Sequence, residues 1–329
     1  PISDFKDILL FNNDNNYTST LYDFLAWRVI NTYYLSNCNY LEKFSDDFSA
    51  SHPELLDDAE IFANFKLKEP KEKCVNYQII TILQSIISAH LSEKNSNALI
   101  DADLNRLKIL LDIYVGNDKD KLYLQQLYKM LDKYSDNPEV AWVYHGIASK
   151  YNDLARKYDS QNPTTEIYKD YYVKADEICK IACEKYPKQN AAQGLKSISD
   201  LIKQKHLSIT CANEEPSEAP FLINLEYKNV KEAFVKIVKI SEDEFFNYFD
   251  YIPKLKENAV IEFSQSLIDN GDHRNLTSEL KVDGLKNGFY LIFVSDNKDF
   301  SASNGLKLNC KKIQITRFAV VEDIDNNKN

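Results

Sequence analysis

Glycine is scarce in this chain, with seven residues in 329. No phosphate-cradling glycine loop, dinucleotide fingerprint or Gly-x-Ser-x-Gly occurs, so the common nucleotide and serine-hydrolase signatures are missing. No apolar run approaches the roughly 20 residues of a membrane span. A basic stripe is also lacking. Formal net charge is -10 and the acidic excess is spread along the whole chain, which argues against a polyphosphate backbone as partner. Cysteine is sparse for so long a chain: Cys38, Cys74, Cys179, Cys183, Cys211 and Cys310 read as buried thiols rather than a disulfide framework. The start, Pro1-Ile2-Ser3-Asp4, has neither basic flank nor apolar core and is no signal peptide. It reads as an interior start, and the polar end Asp323-Ile324-Asp325-Asn326-Asn327 likewise suits an excised piece of something longer.

What the chain does have is aromatic residues, 21 tyrosines and 17 phenylalanines, suited to helix-packing seams and recognition surfaces. It also has two distinct hydrophobic rhythms. Up to about residue 206 the apolar residues recur at helical spacing. From about 207 they alternate, as in Phe221-Leu222-Ile223-Asn224-Leu225-Glu226-Tyr227. The expected organisation is an all-α helical-hairpin domain over 1–206 followed by an all-β antiparallel sandwich over 207–329. Helices are expected at 17–35, 53–66, 75–92, 97–114, 119–134, 138–157, 166–186 and 191–205. Strands are expected at 207–212, 221–227, 232–240, 258–264, 276–282, 288–295, 306–311 and 312–322. Glu214-Glu215-Pro216-Ser217-Glu218-Ala219-Pro220 is expected as a loop or sheet edge, since proline has no amide proton for a ladder.

The pair 138–157 and 166–186 carries a repeat signature. Ala175-x3-Cys179-x2-Ala182-x4-Pro187 resembles the second helix of a tetratricopeptide repeat, where small residues let two helices approach closely. Trp142 and Gly146 stand at the separation expected in the first helix. His145 and Ser149 depart from the pattern, and the connection is more than a dozen residues too long. Degenerate hairpins of this kind must stack to bury their faces.

Candidate sites are few. Asp101-x-Asp103-x-Asn105 opens like a calcium loop, but Arg106 stands where the turn needs glycine, so a solvated helix start is the better reading. The histidines His52, His90, His145, His206 and His273 show no metal spacing, and His145 reads as a packing residue beside Trp142. Asn16-Tyr17-Thr18 and Asn275-Leu276-Thr277 match a glycosylation pattern of little weight here. The densest aromatic cluster, Phe245, Phe246, Tyr248, Phe249 and Tyr251, interrupts the strands. Either it packs on the chain's own core or it is a contact patch for a partner or neighbouring domain. No catalytic, cofactor or metal site emerges, and the expectation is that the chain is not an enzyme.

One family resemblance is visible. Pro220-Phe221-Leu222-Ile223-Asn224-Leu225-Glu226-Tyr227-Lys228-Asn229-Val230 followed by Ala233-Phe234-Val235-Lys236-Ile237-Val238-Lys239-Ile240 resembles the opening of a macroglobulin-like domain of the alpha-2-macroglobulin family. Leu285-x2-Gly288-x-Tyr290-Leu291-Ile292 is similar to that family's approach to a central strand. Thr20–Arg28 and Ala98–Leu104 resemble segments preceding such domains in large extracytoplasmic proteins of Bacteroidetes-type bacteria. The resemblance implies a scaffold portion of a protease-trapping protein, periplasmic or held at the outer membrane. Its partners would be further domains of the same polypeptide and target proteases, with neither nucleic acid nor a transmembrane segment involved. The family's Cys-Gly-Glu-Gln thioester is absent; Cys211-Ala212-Asn213-Glu214 lacks the glutamine. The alternative is a repeat-type binding module that captures a peptide or glycan at the cell surface.

Overall fold

A computed structural model of the chain describes residues 17, 20–35, 48–93, 96–247, 250–301 and 308–317. It shows a mixed α and β protein divided into two compact units, Pro1–Ser199 and Asp200–Asn329.

In the first unit helix α1 (Leu21–Leu35) begins where Thr20 and Asp23 cap each other. The Thr20 backbone N–H donates to the Asp23 carboxylate at 3.2 Å, and the Asp23 N–H donates to the Thr20 hydroxyl at 3.1 Å. The helix expected over 53–66 is broken. Residues Pro53–Leu56 form a 3₁₀ turn, and α2 (Ala59–Asn64) restarts at Asp58, whose carboxylate accepts from the Glu60 N–H at 3.0 Å. Successive short polar residues at 57 and 58 favour caps over helix interior.

Helix α3 (Val75–Ser92) buries Ile79, Ile80, Leu83, Ile86 and Ile87 almost completely and lies at the centre of its core. Helix α4 (Ser96–Ile113) is buried on most of its faces, and among those buried residues are Asp103 and Arg106. The Arg106 side chain is wholly enclosed. Its Nε donates to Asp103 at 2.7 Å, its two terminal nitrogens donate to the carbonyls of Leu55 and Asp57 at 2.8 Å each, and its guanidinium lies 4.4 Å from the centre of the Phe62 ring. One side chain thus joins α4, the 53–56 turn and α2.

Helices α5 (Lys119–Lys133), α6 (Val140–Ala155) and α7 (Tyr171–Lys185) follow. The expected early start of α7 gives way to a second 3₁₀ turn, Pro163–Tyr168, capped by Asn162 and pinned by Thr165, which donates to the carbonyls of Asp159 and Asn162. Ring contacts pair residue 144 with 186 and residue 151 with 171, so α6 and α7 run antiparallel. Their seam holds Ala141, Ala148, Cys179 and Ala182, the small residues that permit close approach. The first turns of α8 (Ala191–Lys203) join this seam through Ala191 and Leu195. A Cβ at Gly194 would stand 2.8 Å from the His145 ring, so a larger residue there has to displace that ring.

The second unit has two sheets. One, ordered β1-β3-β6, comprises β1 (His206–Thr210), β3 (Phe221–Lys228) and β6 (Leu276–Val282). The other, ordered β2-β8-β7-β4-β5, comprises β2 (Glu214–Pro216), β4 (Glu232–Ile240), β5 (Ile261–Ser266), β7 (Gly288–Ser295) and β8 (Asn309–Thr316). Ile223, Leu225 and Leu280 from the first share one apolar core with Val235, Ile237, Tyr290, Ile292 and Ile313 from the second. The expectation of purely antiparallel pairing is corrected at one edge: β2, in the segment expected as a loop or edge, pairs parallel to β8. The strands expected at 306–311 and 312–322 are, within the described residues, one strand.

Asn229 sits between β3 and β4 with φ 54, a conformation that asparagine tolerates better than most residues. Its side-chain amide donates to the carbonyls of Ile202 and Gln204 at 3.0 and 3.1 Å, and its oxygen lies 2.8 Å from His273 Nδ1.

Two substitutions test these points. Arg106→Met leaves Asp103 and two carbonyls buried without their donor and is expected to cost about 3–5 kcal/mol in urea unfolding followed by tryptophan fluorescence; adding Asp103→Leu restores part of the loss. Asn229→Gly keeps the backbone conformation but removes the side-chain bonds, so a loss of about 1–3 kcal/mol is expected where backbone strain alone would give a gain.

Candidate functional site

The aromatic cluster singled out in the sequence lies in the connection from β4 to β5. Ser241 opens helix α9 (Glu242–Phe246) with a capping box: its hydroxyl accepts from the Glu244 N–H, and its own N–H donates to the Glu244 carboxylate at 2.9 Å. A 3₁₀ turn, Ile252–Lys256, follows. The connection lies against the outward face of the five-stranded sheet. The Phe245 ring centre is 4.8 Å from that of Phe289, Phe246 is 5.7 Å from Phe289, and Tyr251 is 6.2 Å from Phe293. Phe245 thus belongs to the outer cluster of Val238, Ile240, Leu291, Phe293 and Phe300. Phe246 turns out to solvent at 67 % exposure and Tyr251 is partly exposed. Tyr248 and Phe249 lie outside the described residues.

Two lysines on that outward face hold the connection by its backbone. Lys312 Nζ donates to the carbonyls of Glu244, Phe245 and Asn247 at 2.7–3.0 Å, and Lys236 Nζ donates to the Leu255 carbonyl at 2.6 Å. Cations at a helix C-terminus satisfy its unpaired carbonyls. Lys254 closes the arrangement with an ion pair to Glu244 at 2.7 Å.

The other singled-out residues are dispersed. Asp101, Asp103 and Asn105 lie on one helix, and Asp103 is buried beneath Arg106 rather than solvated. His90 is buried, with Asp23 3.4 Å from Nε2 and Glu93 3.2 Å from Nδ1. His145 lies 5.7 Å from Trp142, and burial, with Lys108 nearby, holds its pKa below the usual histidine value. Cys74, Cys179, Cys183, Cys211 and Cys310 are thiols; Cys38 lies outside the described residues. Among the described residues no group of three or more His, Cys, Asp and Glu side chains could hold a metal ion, and no helix is long and apolar enough to cross a membrane.

A second aromatic surface has no contiguous signature in the sequence. Tyr128 of α5, Tyr151 of α6, Tyr171 of α7 and Tyr168 of the preceding turn form a row. The Tyr128 and Tyr151 hydroxyls are 3.1 Å apart; the Tyr151 and Tyr171 rings meet at 5.0 Å and 74°, and Tyr168 and Tyr171 at 5.5 Å and 90°. Tyr144, one heptad before Tyr151, continues the row to Tyr186 at 6.0 Å. All are exposed or half-buried. Burial, then the bond to Tyr151, pushes the Tyr128 hydroxyl above its ordinary pKa, so it stays protonated and able to donate. The i, i+7 spacing of Tyr144 and Tyr151 was the available signal, but only packing brings Tyr128 and Tyr186 alongside. An open polar cleft of about 480 Å³ lies at the ends of α4, α5 and α6, lined by residues including Ser96, Lys133, Asn137 and Glu139. Lys133 there is already engaged with Asp58 and Glu60.

No family model matches the chain, and no curated protein is significantly similar to it. A solved structure similar to it is the alkylpurine DNA glycosylase of Pseudomonas fluorescens bound to DNA containing an abasic site analogue, at 12% identity over 78% of this chain and 85% of that one, with a TM-score of 0.20. That neighbour is an enzyme, and the expectation that this chain is not an enzyme is withdrawn on that finding. At so low a TM-score the likeness carries no argument for glycosylase chemistry or DNA binding.

The connection from β4 to β5 makes a pH prediction. Bonding to Lys254, then to Ser241, lowers the Glu244 carboxyl from 4.5 to about 2. A depressed carboxylate stabilises the fold above its unfolded value and loses that contribution as pH falls through its folded one. The protection factors of the α9 amides, hydrogen-exchange rates referred to the intrinsic rate at each pH, are therefore expected to fall between about pH 4.5 and 2, with the slope flattened in Glu244→Gln.

Proposed function

We propose that the chain is a binding module whose helical unit, resembling a tetratricopeptide array, captures an extended peptide or glycan along the tyrosine row of α5, α6 and α7. The carrying observation is the row itself: rings from α6, α7 and the turn between them meet edge to face, and Tyr128 of α5 joins them through an exposed hydroxyl–hydroxyl bond to Tyr151. Tyrosine supplies large, rigid contact area at low entropic cost, with a polar tip for hydrogen bonding. A face assembled from several stacked hairpins offers a surface longer than any one helix. Antiparallel packing of α6 and α7 over their small-residue seam supports the same reading.

A second reading is favoured by the Asn229 turn. The stretch resembling the opening of a macroglobulin-like domain forms β3, that turn and β4. On this reading the chain is a scaffold portion of an alpha-2-macroglobulin-like protease-trapping protein, exported to the periplasm or held at the outer membrane. Target proteases and further domains of the same polypeptide are its partners, and the reactive part lies outside this chain. Co-migration of the full-length gene product with a panel of proteases is the outcome that supports it.

Peptide and glycan arrays probed with the labelled chain test the first reading. Signal is expected, and Tyr151→Ala/Tyr171→Ala is expected to weaken it by about tenfold or more, as for aromatic anchors at interfaces. Arrays without signal, or signal indifferent to both substitutions, overturn it.

A further inference from the structure

The tyrosine row carries a pattern of charge as well as of rings. On α7, Tyr171, Lys174, Ile178, Ile181 and Lys185 recur at helical spacing along one stripe, and none of them is acidic. Lys174 Nζ rests 4.9 Å from the centre of the Tyr171 ring, and Lys185 Nζ 5.2 Å from that of Tyr186. Neighbouring lysines are already engaged: Lys150 and Lys157 with Asp120, Lys169 with Glu166, and Lys180 with Asp176. Among the described residues neither Lys174 nor Lys185 has a carboxylate within ion-pair distance. Lys185 also hydrogen-bonds the Tyr186 side chain, and an ammonium oriented by a ring or by one such bond keeps further N–H groups for an anionic partner. Between the two cations the stripe is aliphatic, with Ile181 half exposed.

Resting on the reading of this row as a capture surface, we infer that its ligand is an extended polypeptide carrying two carboxylate side chains about four or six residues apart, with apolar residues between them. The spacing follows from geometry. At the helical rise of about 1.5 Å per residue, Lys174 and Lys185 stand about 16 Å apart along α7. An extended chain covers that distance in about five residues at roughly 3.3 Å each, and because its side chains alternate in direction the two carboxylates that reach one face stand four or six positions apart. The carboxylates meet the two lysines, and the intervening side chains lie on Ile178, Ile181 and the tyrosine rings. Backbone carbonyls of an extended segment have no internal partners and can accept from the tyrosine hydroxyls. A neutral glycan offers the two lysines only uncharged hydroxyl acceptors, weaker partners than carboxylates, and little to the isoleucines.

The test is selection from a displayed random dodecapeptide library on the full chain, followed by fluorescence polarisation of the most enriched peptide. A glycan array that includes uronic-acid polymers is run alongside. Enriched sequences are expected to hold two Asp or Glu about four or six positions apart. Lys174→Glu/Lys185→Glu, two exposed positions, is expected to reduce affinity by about tenfold or more at unchanged thermal midpoint, and salt at about 0.5 M to weaken wild-type binding. Peptides enriched without paired carboxylates, equal binding by the charge-reversed variant, or binding of uronic polymers alone overturns the inference and leaves the capture surface standing. Absence of binding in both screens, or binding indifferent to Tyr151→Ala/Tyr171→Ala, overturns both.

Discussion

The helical unit depends on a buried guanidinium. Arg106 is fully enclosed, and a cation in that position is tolerable only because its surroundings satisfy it from several directions: one carboxylate, two main-chain carbonyls and the face of an aromatic ring. These partners come from α4, from the 3₁₀ turn beginning at Pro53 and from α2. The turn and α2 are too short to be stable alone. Their positions are therefore set by the demand of one charge to be bonded. The apolar packing of Leu55, Leu56 and Phe62 against α3 and α4 follows from that placement.

The β unit solves a different problem. Its five-stranded sheet is apolar on both faces, and β7, with Tyr290 to Val294 all buried, is covered on each side. One face meets the three-stranded sheet. The other is roofed by the connection from β4 to β5, which packs Phe245 onto Phe289 and receives Lys236 and Lys312 at its carbonyls. The aromatic run that interrupts the strands is accordingly a requirement of the sheet beneath it, with Phe246 and Tyr251 left partly outside.

Much of this was legible in the sequence, where periodicity was strong. The isoleucine-rich α3 and the alternating β3 and β6 follow directly from spacing, because in each a single face must be hidden. The break at Asp57 and Asp58 has a local signal in two successive cap-forming residues, but Pro53 and the apolar residues beyond it also satisfy a continuous helical pattern, and the bond that fixes the break, from Arg106 to the Asp57 carbonyl, comes from 49 residues away. Asp103 was read as solvated for the same reason: its partner is adjacent on the helix, but its burial comes from other elements. The parallel β2–β8 pair joins segments far apart in the chain and leaves no local signature. Of the aromatic surfaces, the one concentrated in a single stretch was visible. The tyrosine row, distributed over residues 128 to 186, was not, because its members become neighbours only when α5, α6 and α7 pack.

The manner in which the connection from β4 to β5 is fastened has an evolutionary consequence. Lys236 and Lys312 grip peptide oxygens, which every residue type possesses. These bonds are indifferent to the side chains of the residues they hold, so an outward position that makes no ring contact with the sheet, such as Ile252, is free to diverge without loosening them. Such a surface can be retuned by drift toward new contacts while the strands underneath stay as they are.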